Sequence, residues 1–355
     1  MRADHETDVV VIGAGQAGLS SAYFLHRAGL RDDVGFVVLD HGKRAGGAWQ
    51  YRWPTLRMNR VHGVHDLPGF RLAEIAFEPT DSAAEVMAAY FAEYERVFDL
   101  PVRRPVSVRA VHRVPDGRFL VVTSGETWLA RGVINATGTW DKPFWPYYPG
   151  REEFRGRQLH TADYTGPASM AGADVVVVGG GTSAVQLLVE IAEVAGSTTW
   201  ATRRPPVFHE GEFTPEYGRE VVAEVDRRVR EGRPPGSVVG VTGLTLTPEV
   251  RAARDAGLLE RRPMFARITP HGVWWPDGRW QHADVILWAT GFRPALDHLA
   301  PLRLRGPGGG IRMNGTRVVG VPRLRLVGYG PSASTVGANR AGREAVRGLL
   351  AELGR

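Results

Sequence analysis

The sequence predicts an α/β protein with two Rossmann-like dinucleotide-binding domains. Two observations predict this fold: each of two valine-rich runs ends in a glycine turn, and each turn leads into a helical pattern. The first run, D-V-V-V-I-G-A-G-Q-A-G, occupies residues 8–18, and the second, D-V-V-V-V-G-G-G-T-S-A, occupies residues 174–184. A buried strand, a tight turn and a helix N-terminus in this order suit the diphosphate of a dinucleotide. Two copies in the same context favour a chain that holds two dinucleotides.

Three positions recur in both motifs. One glycine permits the turn, the next lets the backbone approach a diphosphate, and a third small residue allows the helix to pack closely on the strand. In this order they are Gly13, Gly15 and Gly18 in the first motif and Gly179, Gly181 and Ala184 in the second. The other motif residues that we expect near the phosphates are Gln16, Thr182 and Ser183.

The residues after the second strand of each unit indicate which nucleotide binds where. Asp40 ends the strand F-V-V-L-D, and a carboxylate there accepts hydrogen bonds from a ribose 2′-OH and repels a 2′-phosphate, which suits FAD or NAD. Arg203 and Arg204 end the corresponding stretch T-T-W-A-T-R-R, and their guanidinium groups match the 2′-phosphate of NADP(H). A solvated aspartate and a basic surface pair are the alternatives.

Composition limits the partners. The 355 residues leave room for two domains, and the net charge of +6 favours anionic ligands. The 44 basic and 38 acidic residues form no long basic run, so nucleic acid is not an expected partner. No apolar stretch approaches the ~20 residues that span a bilayer, and we expect a soluble, cytoplasmic protein. A homo-oligomer stays open.

The chain has no cysteine, which excludes a redox-active dithiol, a thiolate metal site and a cysteine nucleophile. The 11 histidines show no H-E-x-x-H spacing, so no metal is predicted.

Between the two motifs we expect a helix over residues 82–98 with Asp81 as its N-cap. Short antiparallel strands should follow around residues 106–114, 118–123 and 128–135. The stretch D-K-P-F-W-P-Y-Y-P, residues 141–149, is typical of a linker between domains.

The predicted domain plan inserts one unit into the other. The domain of the first glycine motif comprises residues 1–142 and 292–355, and the domain of the second comprises residues 143–291. Within the latter, residues 205–262 either wall the active site or cap the sheet, with one helix around 216–230. Strands are expected at 264–269 and 284–289, and the tail should add a strand, the turn G-Y-G-P and a helix ending near residue 350.

Several motifs together resemble the flavin-containing monooxygenases and their N-hydroxylating and Baeyer–Villiger relatives. The most specific is F-R-G-R-Q-L-H-T-A-D-Y at residues 154–164, which is similar to the family's F-x-G-x-x-x-H-x-x-x-Y. G-G-A-W at residues 46–49 matches the family's G-G-x-W, and A-T-G occurs at 136–138 and 289–291. The resemblance implies FAD and NADPH as cofactors.

The resemblance also implies further cofactor-binding residues and a brace. The cofactor residues are Gly47, Trp49, Thr137, Gly138, Thr290, Gly291 and Gly330. Trp49 is either a wall of the flavin site or a loop anchor. His160 is expected to brace the hinge between the domains and not to act as an acid or base.

Asn59 is the predicted catalytic residue and also a predicted cofactor contact. It follows Trp49 in W-P-T-L-R-M-N-R, and in the family an asparagine at similar spacing lies over the flavin. An amide can donate to a peroxide oxygen and accept from a nicotinamide amide. The family's N-x-P continuation is replaced by N-R-V, and a turn asparagine is the alternative.

The implied chemistry is hydride transfer from NADPH to the flavin, formation of a flavin C4a-(hydro)peroxide with O2, and oxygenation of an amine, a thioether or a ketone. The alternative is a flavin-dependent NADPH oxidoreductase or oxidase that passes electrons to a quinone, a small disulfide or a protein. A non-catalytic nucleotide sensor is a third reading.

Overall fold

The computed structural model describes residues 3–61, 64–209, 215–236 and 243–355. Parts of the predicted segment 205–262 therefore lie outside the described residues. The side chains of residues 32–33, 215–222 and 335–336 are also not described. None of the described helices combines the length and apolarity needed to cross a membrane.

One mixed sheet and one parallel sheet dominate the described structure and confirm the predicted α/β class. The larger is the mixed sheet and has nine strands, seven of them in the order β17-β18-β19-β6-β1-β2-β3. The pairs from β19 to β3 are parallel, β17, β18 and β19 pair antiparallel, and β5 pairs antiparallel with both β6 and β4. Its strands are β1 (His5–Ile12), β2 (Phe36–Leu39), β3 (Val102–Arg103), β4 (Val108–Arg113), β5 (Phe119–Thr123), β6 (Thr127–Asn135), β17 (Met313–Asn314), β18 (Arg317–Val318) and β19 (Leu324–Leu326).

The second sheet has five parallel strands in the order β12-β9-β8-β16-β7. They are β7 (Arg157–His160), β8 (Asp174–Val178), β9 (Ser197–Ala201), β12 (Arg261–Arg262) and β16 (Val285–Trp288). All four valines of β8 are buried, as a strand covered on both faces requires.

Two small sheets were not predicted. One is a parallel pair, β10 (Phe208–His209) with β11 (Leu244–Thr245), and the other is an antiparallel set, β13 (Arg267–Thr269), β14 (Gly272–Trp274) and β15 (Trp280–His282). The strand expected at 264–269 therefore belongs to this antiparallel set and not to the parallel sheet, since the turn after Thr269 returns the chain on itself.

The helices flank the sheets. They are α1 (Gln16–Arg27), α2 (Asp32–Gly35), α3 (Ala83–Val97), α4 (Thr182–Ala192), α5 (Pro215–Arg230), α6 (Pro248–Asp255) and α7 (Thr335–Glu352). Helix α3 confirms the helix expected at 82–98, but the predicted cap is wrong. Ser82 occupies the N-cap without a capping side-chain bond, while Asp81 Oδ2 accepts a hydrogen bond from the Glu78 N–H at 2.8 Å.

The strands of the larger sheet come from residues 5–135 and 313–326, and those of the five-stranded sheet from residues 157–288. These two parts of the chain are called the first and the second unit. The domain boundaries themselves stay a prediction. The loop after Trp49 joins the two units, because Trp53 and Leu56 pack into the apolar cluster around β8 and α4 that contains Val177 and Leu187. Residues of the two units are therefore in contact at this loop.

Candidate functional site

The first glycine turn folds as its residue types demand. Gly13 has φ +96°, a conformation that favours glycine, and its N–H donates to Leu39 O at 2.8 Å. A Cβ on Gly18 would lie 1.8 Å from Gly13 O, so only glycine permits this approach of helix to turn. The turn therefore brings the start of α1 against the end of β1.

The second turn repeats this geometry. Gly179 has φ +142°, and a Cβ there would lie 2.1 Å from Ala289 O. Its N–H donates to Ala201 O at 2.9 Å, and its carbonyl accepts from Trp200 Nε1 at 2.6 Å. Ala184 is fully buried within α4, as expected for the small residue of this motif. Thr182 and Ser183 are the first two residues of that helix.

Gly15 and Gly181 differ from the other motif glycines because nothing in the described structure requires glycine there. Both are N-cap residues with extended backbone, Gly15 at φ −84° and Gly181 at φ −101°, which any residue adopts. A Cβ on Gly15 would meet only Gly47 Cα at 3.9 Å, and one on Gly181 would meet nothing within 4 Å. Each glycine thus leaves an open cradle at a helix N-terminus, where backbone N–H groups bind anions.

Gly47 and Gln16 adjoin the first cradle. Gly47 has φ +51°, and a Cβ there would lie 2.7 Å from Gly15 Cα. Gln16 Nε2 donates to Asn339 Oδ1 at 2.9 Å, whereas its buried Oε1 has no hydrogen-bond partner among the described residues. An unmet buried acceptor costs free energy unless a donor arrives, so Oε1 is available to a ligand.

Asp40 is 4% exposed at the end of β2 and lies in an ion-pair network that the sequence did not predict. Arg104 Nε donates to Asp40 Oδ2 at 2.9 Å, and its other nitrogens hold both oxygens of Glu95, each at 2.7 Å. Burial alone would lower the pKa of Arg104, but the hydrogen bonds to Glu95 and the charge of Asp40 raise it overall. Arg104 therefore fixes the carboxylate expected to meet the FAD ribose.

The first A-T-G turn is tied to the segment that returns from the second unit. Thr137 Oγ1 donates to Ala295 O at 2.7 Å and accepts from Asn135 Nδ2 at 3.1 Å. Gly138 has φ +61°, and its carbonyl accepts from the Ala295 N–H at 2.9 Å. The chain thus enters and leaves the second unit at one point.

The second A-T-G turn is held in the same way. Thr290 Oγ1 donates to Phe144 O, and Gly291 has φ +74°. Gly291 O accepts from His160 Nε2 at 3.0 Å, while His160 Nδ1 accepts from the Ala162 N–H at 3.1 Å. Both ring nitrogens are engaged and burial lowers the pKa of His160, so this neutral ring supports the expected bracing role.

His298 lies beside Asn135, the residue before the first A-T-G turn, and its burial makes stability depend on pH. Its Nε2 lies 2.6 Å from Asn135 Oδ1, and burial lowers the pKa of His298 to about 4. The unfolded chain takes up a proton near pH 6.5 and the folded chain only near pH 4, so the stability from neutral His298 is present above pH 6.5 and is lost as the pH falls towards 4. Between pH 7 and pH 4.5, protonation of His298 in the unfolded chain should lower the free energy of unfolding by about 2–3 kcal/mol. In His298→Gln this part of the loss should be absent.

Urea unfolding of both proteins at several pH values measures this difference. Other titrating groups are common to both and cancel in the comparison. Parallel pH curves for the two proteins would contradict the role of His298.

Arg203 and Arg204 follow β9 at the edge that carries the second glycine turn. Ala201 pairs with Val178, which directly precedes Gly179. Both arginines are exposed, and neither forms an ion pair within the described part of the chain. Arg261, which was not predicted, donates from Nε to Thr202 Oγ1 at 2.8 Å and from Nη2 to Thr202 O at 3.1 Å. It orients the turn that presents the pair.

Asn59 lies beside the second unit. Its exposed side chain is on a short 3-10 turn, Met58–Arg60, whose position is fixed because the Asn59 N–H donates to Pro79 O at 2.9 Å. The next residue touches both flanking helices: Arg60 O accepts from Gln186 Nε2 of α4 at 3.1 Å, and Arg60 Nη2 lies 2.9 Å from Glu249 Oε1 of α6.

Trp49 and Gly330 have different surroundings. Trp49 is half-buried beside the Arg52 guanidinium, whose carbon lies 5.5 Å from the ring centre. Gly330 has φ +63°, and a Cβ there would lie 3.0 Å from Val229 Cγ1 of α5. This contact places Gly330 against α5.

The fold and the two cradles define a flavoprotein of the class with two dinucleotide-binding units. The profile of the family described as "Pyridine nucleotide-disulphide oxidoreductase" matches residues 10–240, and the chain belongs to this family. The structure is similar to a flavin-containing monooxygenase from Stenotrophomonas maltophilia, with 38% identity, a TM-score of 0.82 and coverage of 98% of this chain and 99% of that one. This match confirms the resemblance to flavin-containing monooxygenases.

Two curated relatives match more weakly. An uncharacterized CzcO-like oxidoreductase from Geobacillus kaustophilus is 31% identical over 190 residues, which are 53% of this chain and 52% of the relative. The chain thus spans about half the length of such curated relatives. Indole-3-pyruvate monooxygenase YUCCA1 from Oryza sativa subsp. japonica is 25% identical over 317 residues, 80% of this chain and 76% of that protein.

Arg52, Arg104, Arg261 and His298 are the residues around the site that motif reasoning missed. Their partners lie far away in sequence or come from elements without a motif. Arg52 alone carried a signal, because it follows Trp49 closely in sequence: Trp49 lies within the 3-10 turn Gly47–Tyr51, and Arg52 is the C-cap of that turn.

Proposed function

We propose that this protein is an FAD-dependent, NADPH-consuming monooxygenase that oxygenates a small molecule with O2. The domain plan belongs to the proposal: residues 1–142 and 292–355 hold FAD, and residues 143–291 hold NADPH. The similarity to a flavin-containing monooxygenase over nearly the whole chain supports this activity.

The open space at Gly15 and Gly181 carries the proposal. Glycine at these two positions is explained neither by backbone strain nor by protein packing, since each has extended backbone and room for a side chain. A ligand that approaches the main chain explains both. Two such cradles, one on each sheet, fit two diphosphates.

The residues around each cradle suit the proposed cofactors. At the first, Gly15 and the helix N-terminus face the FAD diphosphate, Asp40 meets the ribose, and Gln16 Oε1 accepts a hydrogen bond. Bound there, FAD supplies hydride acceptance and activation of O2. The chain's own residues align the two nucleotides and exclude water, and Asn59 donates a hydrogen bond to the reacting oxygen.

Arg203 and Arg204 are proposed to select NADPH. Their exposed guanidinium groups, unpaired within the described residues, match a 2′-phosphate, and one charge-assisted contact contributes roughly 1.5–3 kcal/mol. We expect kcat/KM for NADPH to exceed that for NADH by about tenfold or more. The double variant R203Q/R204Q should lose this preference with little change for NADH.

The control is Arg279→Gln, which removes an exposed arginine on β14–β15 whose Nε lies 3.7 Å from Asp277 Oδ2. Steady-state NADPH and NADH oxidation by the three proteins measures the preference. Equal kcat/KM values for the two coenzymes in the unsubstituted protein would show that the pair is a surface feature.

The proposed substrates are soft nucleophiles, amines or thioethers, or else ketones. The experiment that tests the function supplies the purified protein with FAD, NADPH and 18O2, together with one compound of each class. Incorporation of one 18O atom into a product supports oxygenation. NADPH oxidation without labelled product, accelerated by a quinone or a small disulfide, would replace the proposal with the electron-transfer alternative.

A further inference from the structure

Arg52 is a partly buried cation for which the described residues supply no anion. It follows the 3-10 turn Gly47–Tyr51, and its guanidinium carbon lies 5.5 Å from the ring centre of Trp49 and 5.2 Å from that of Trp140. Its Nε is buried and has no hydrogen-bond partner among the described residues. Cation–π contacts attract the charge but satisfy none of the N–H donors.

The surroundings of Arg52 do not neutralise it. Within the described chain it forms no ion pair, and its pKa is lowered by burial with no contribution from a neighbouring charge. Even so, a guanidinium stays protonated in proteins. A buried charge that is neither paired nor hydrogen-bonded lowers the stability of the folded protein by several kcal/mol. An apolar residue at this position would avoid that cost, so the arginine indicates that the charge has a function.

Two other buried arginines show how this chain treats such a charge. Arg104, 13% exposed, binds the carboxylates of both Asp40 and Glu95. Arg325, 3% exposed, lies 3.0 Å from Glu352 Oε1. Among the described residues Arg52 departs from this pattern, and an anion from a bound ligand accounts for the difference.

The position of Arg52 indicates where that anion lies. Trp49 shares a turn with Gly47, whose Cα lies beside the first cradle at Gly15. Trp140 follows the first A-T-G turn and stacks on Phe292, at 4.9 Å between ring centres, directly after the second. Arg52 therefore lies where the chain crosses between the two nucleotide-binding units.

We propose that Arg52 binds the oxyanion of a ligand at this junction. The group is either the diphosphate of a dinucleotide or the carboxylate of the oxygenation substrate, and the inference rests on the proposed function. Trp49 and Trp140 hold the guanidinium in place, and the unpaired Nε–H is one of the donors to the anion.

The test compares Arg52→Gln with Arg57→Gln in the 355-residue chain, stripped of FAD for the measurement of FAD binding and loaded with FAD for the other two ligands. Arg57 is exposed in the same loop and forms no ion pair with a described residue. Three dissociation constants are measured, for FAD, for NADP+ and for benzoate as an aromatic carboxylate. We expect Arg52→Gln to weaken at least one of them by about tenfold or more, since a charge-assisted contact is lost, and Arg57→Gln to weaken none.

The ligand that weakens identifies the source of the anion: FAD or NADP+ indicates a diphosphate, and benzoate alone indicates a substrate carboxylate. The Tm of Arg52→Gln in protein stripped of FAD, without added NADP+ or benzoate, should not fall, because the substitution then removes an uncompensated charge. Unchanged affinities for all three ligands would overturn the inference, whereas an unsubstituted protein that binds neither FAD nor NADP+ would refute the proposed function itself.

Arg52→Lys covers the case in which Arg52→Gln does not fold. Lysine keeps the charge between the two tryptophans but loses the planar fork, so its affinity for the same ligand should fall by at least about threefold. If Arg52→Lys binds all three ligands as tightly as the unsubstituted protein, the guanidinium N–H groups do not bind the anion and the inference is wrong.

Discussion

Gly15→Leu should give folded but colourless protein, with FAD bound at least about a hundredfold more weakly, because several charge-assisted contacts of roughly 1.5–3 kcal/mol each are lost with the diphosphate. A leucine fits the extended backbone of this N-cap, and its side chain enters the space where a Cβ meets only Gly47 Cα at 3.9 Å. Flavin absorbance per protein and the FAD dissociation constant measure the loss.

The second cradle provides a matched variant. Gly181→Leu has equally open surroundings, so it should keep its flavin and accept electrons from dithionite but not from NADPH. Each variant thus removes one nucleotide and spares the other.

Folding controls separate ligand loss from damage. Gly125→Leu, at another open glycine between β5 and β6, should retain flavin and reduction by NADPH. The Tm of Gly15→Leu should match that of unsubstituted protein stripped of FAD, because a bound cofactor stabilises only the folded state. If Gly15→Leu retains a full complement of flavin, the first cradle does not bind FAD.

The sequence predicted the strand–turn–helix units because their rules are local. A valine run, a glycine with φ above zero and a helix start lie within about a dozen residues, and each follows from the residue types. For the same reason, the small residue of each motif could be assigned: the Cβ clash at Gly18 is a consequence of spacing within the motif.

Contacts between distant segments could not be predicted in this way. Arg104 reaches Asp40 because β3 lies beside β2, and the pairing of two short strands far apart in sequence leaves no periodic signal. The β12 strand has only two residues, so nothing in the pattern of residues 205–262 indicated that its end joins the sheet beside β9. At Asp81 a local rule failed: the residue type favours a helix N-cap, but the side chain accepts a hydrogen bond from the Glu78 N–H within the preceding turn.

Asn59→Ala should separate reduction of the protein from oxygenation. NADPH should still reduce the variant, because Asn59 is exposed on its short turn and its backbone bond to Pro79 does not depend on the side chain. Oxygenated product should fall and hydrogen peroxide should rise, since the loss of one preorganised donor costs about 3 kcal/mol, on the order of a hundredfold.

Asn314→Ala, an exposed asparagine of β17 in the larger sheet, is the control for a general effect of losing an amide, and it should leave both steps unchanged. Stopped-flow reduction under nitrogen followed by mixing with O2 measures the two steps separately, and a peroxide assay accounts for the electrons that do not reach the product.

The position of Asn59 decides how the result is interpreted. Because Arg60 is bonded to α4 and α6, Asn59 stays beside the second unit when its side chain is removed, so lost oxygenation reports on the amide and not on the junction. Identical reoxidation of the variant and the unsubstituted protein, with no labelled product from either, would assign Asn59 to the turn alone and favour electron transfer over oxygenation.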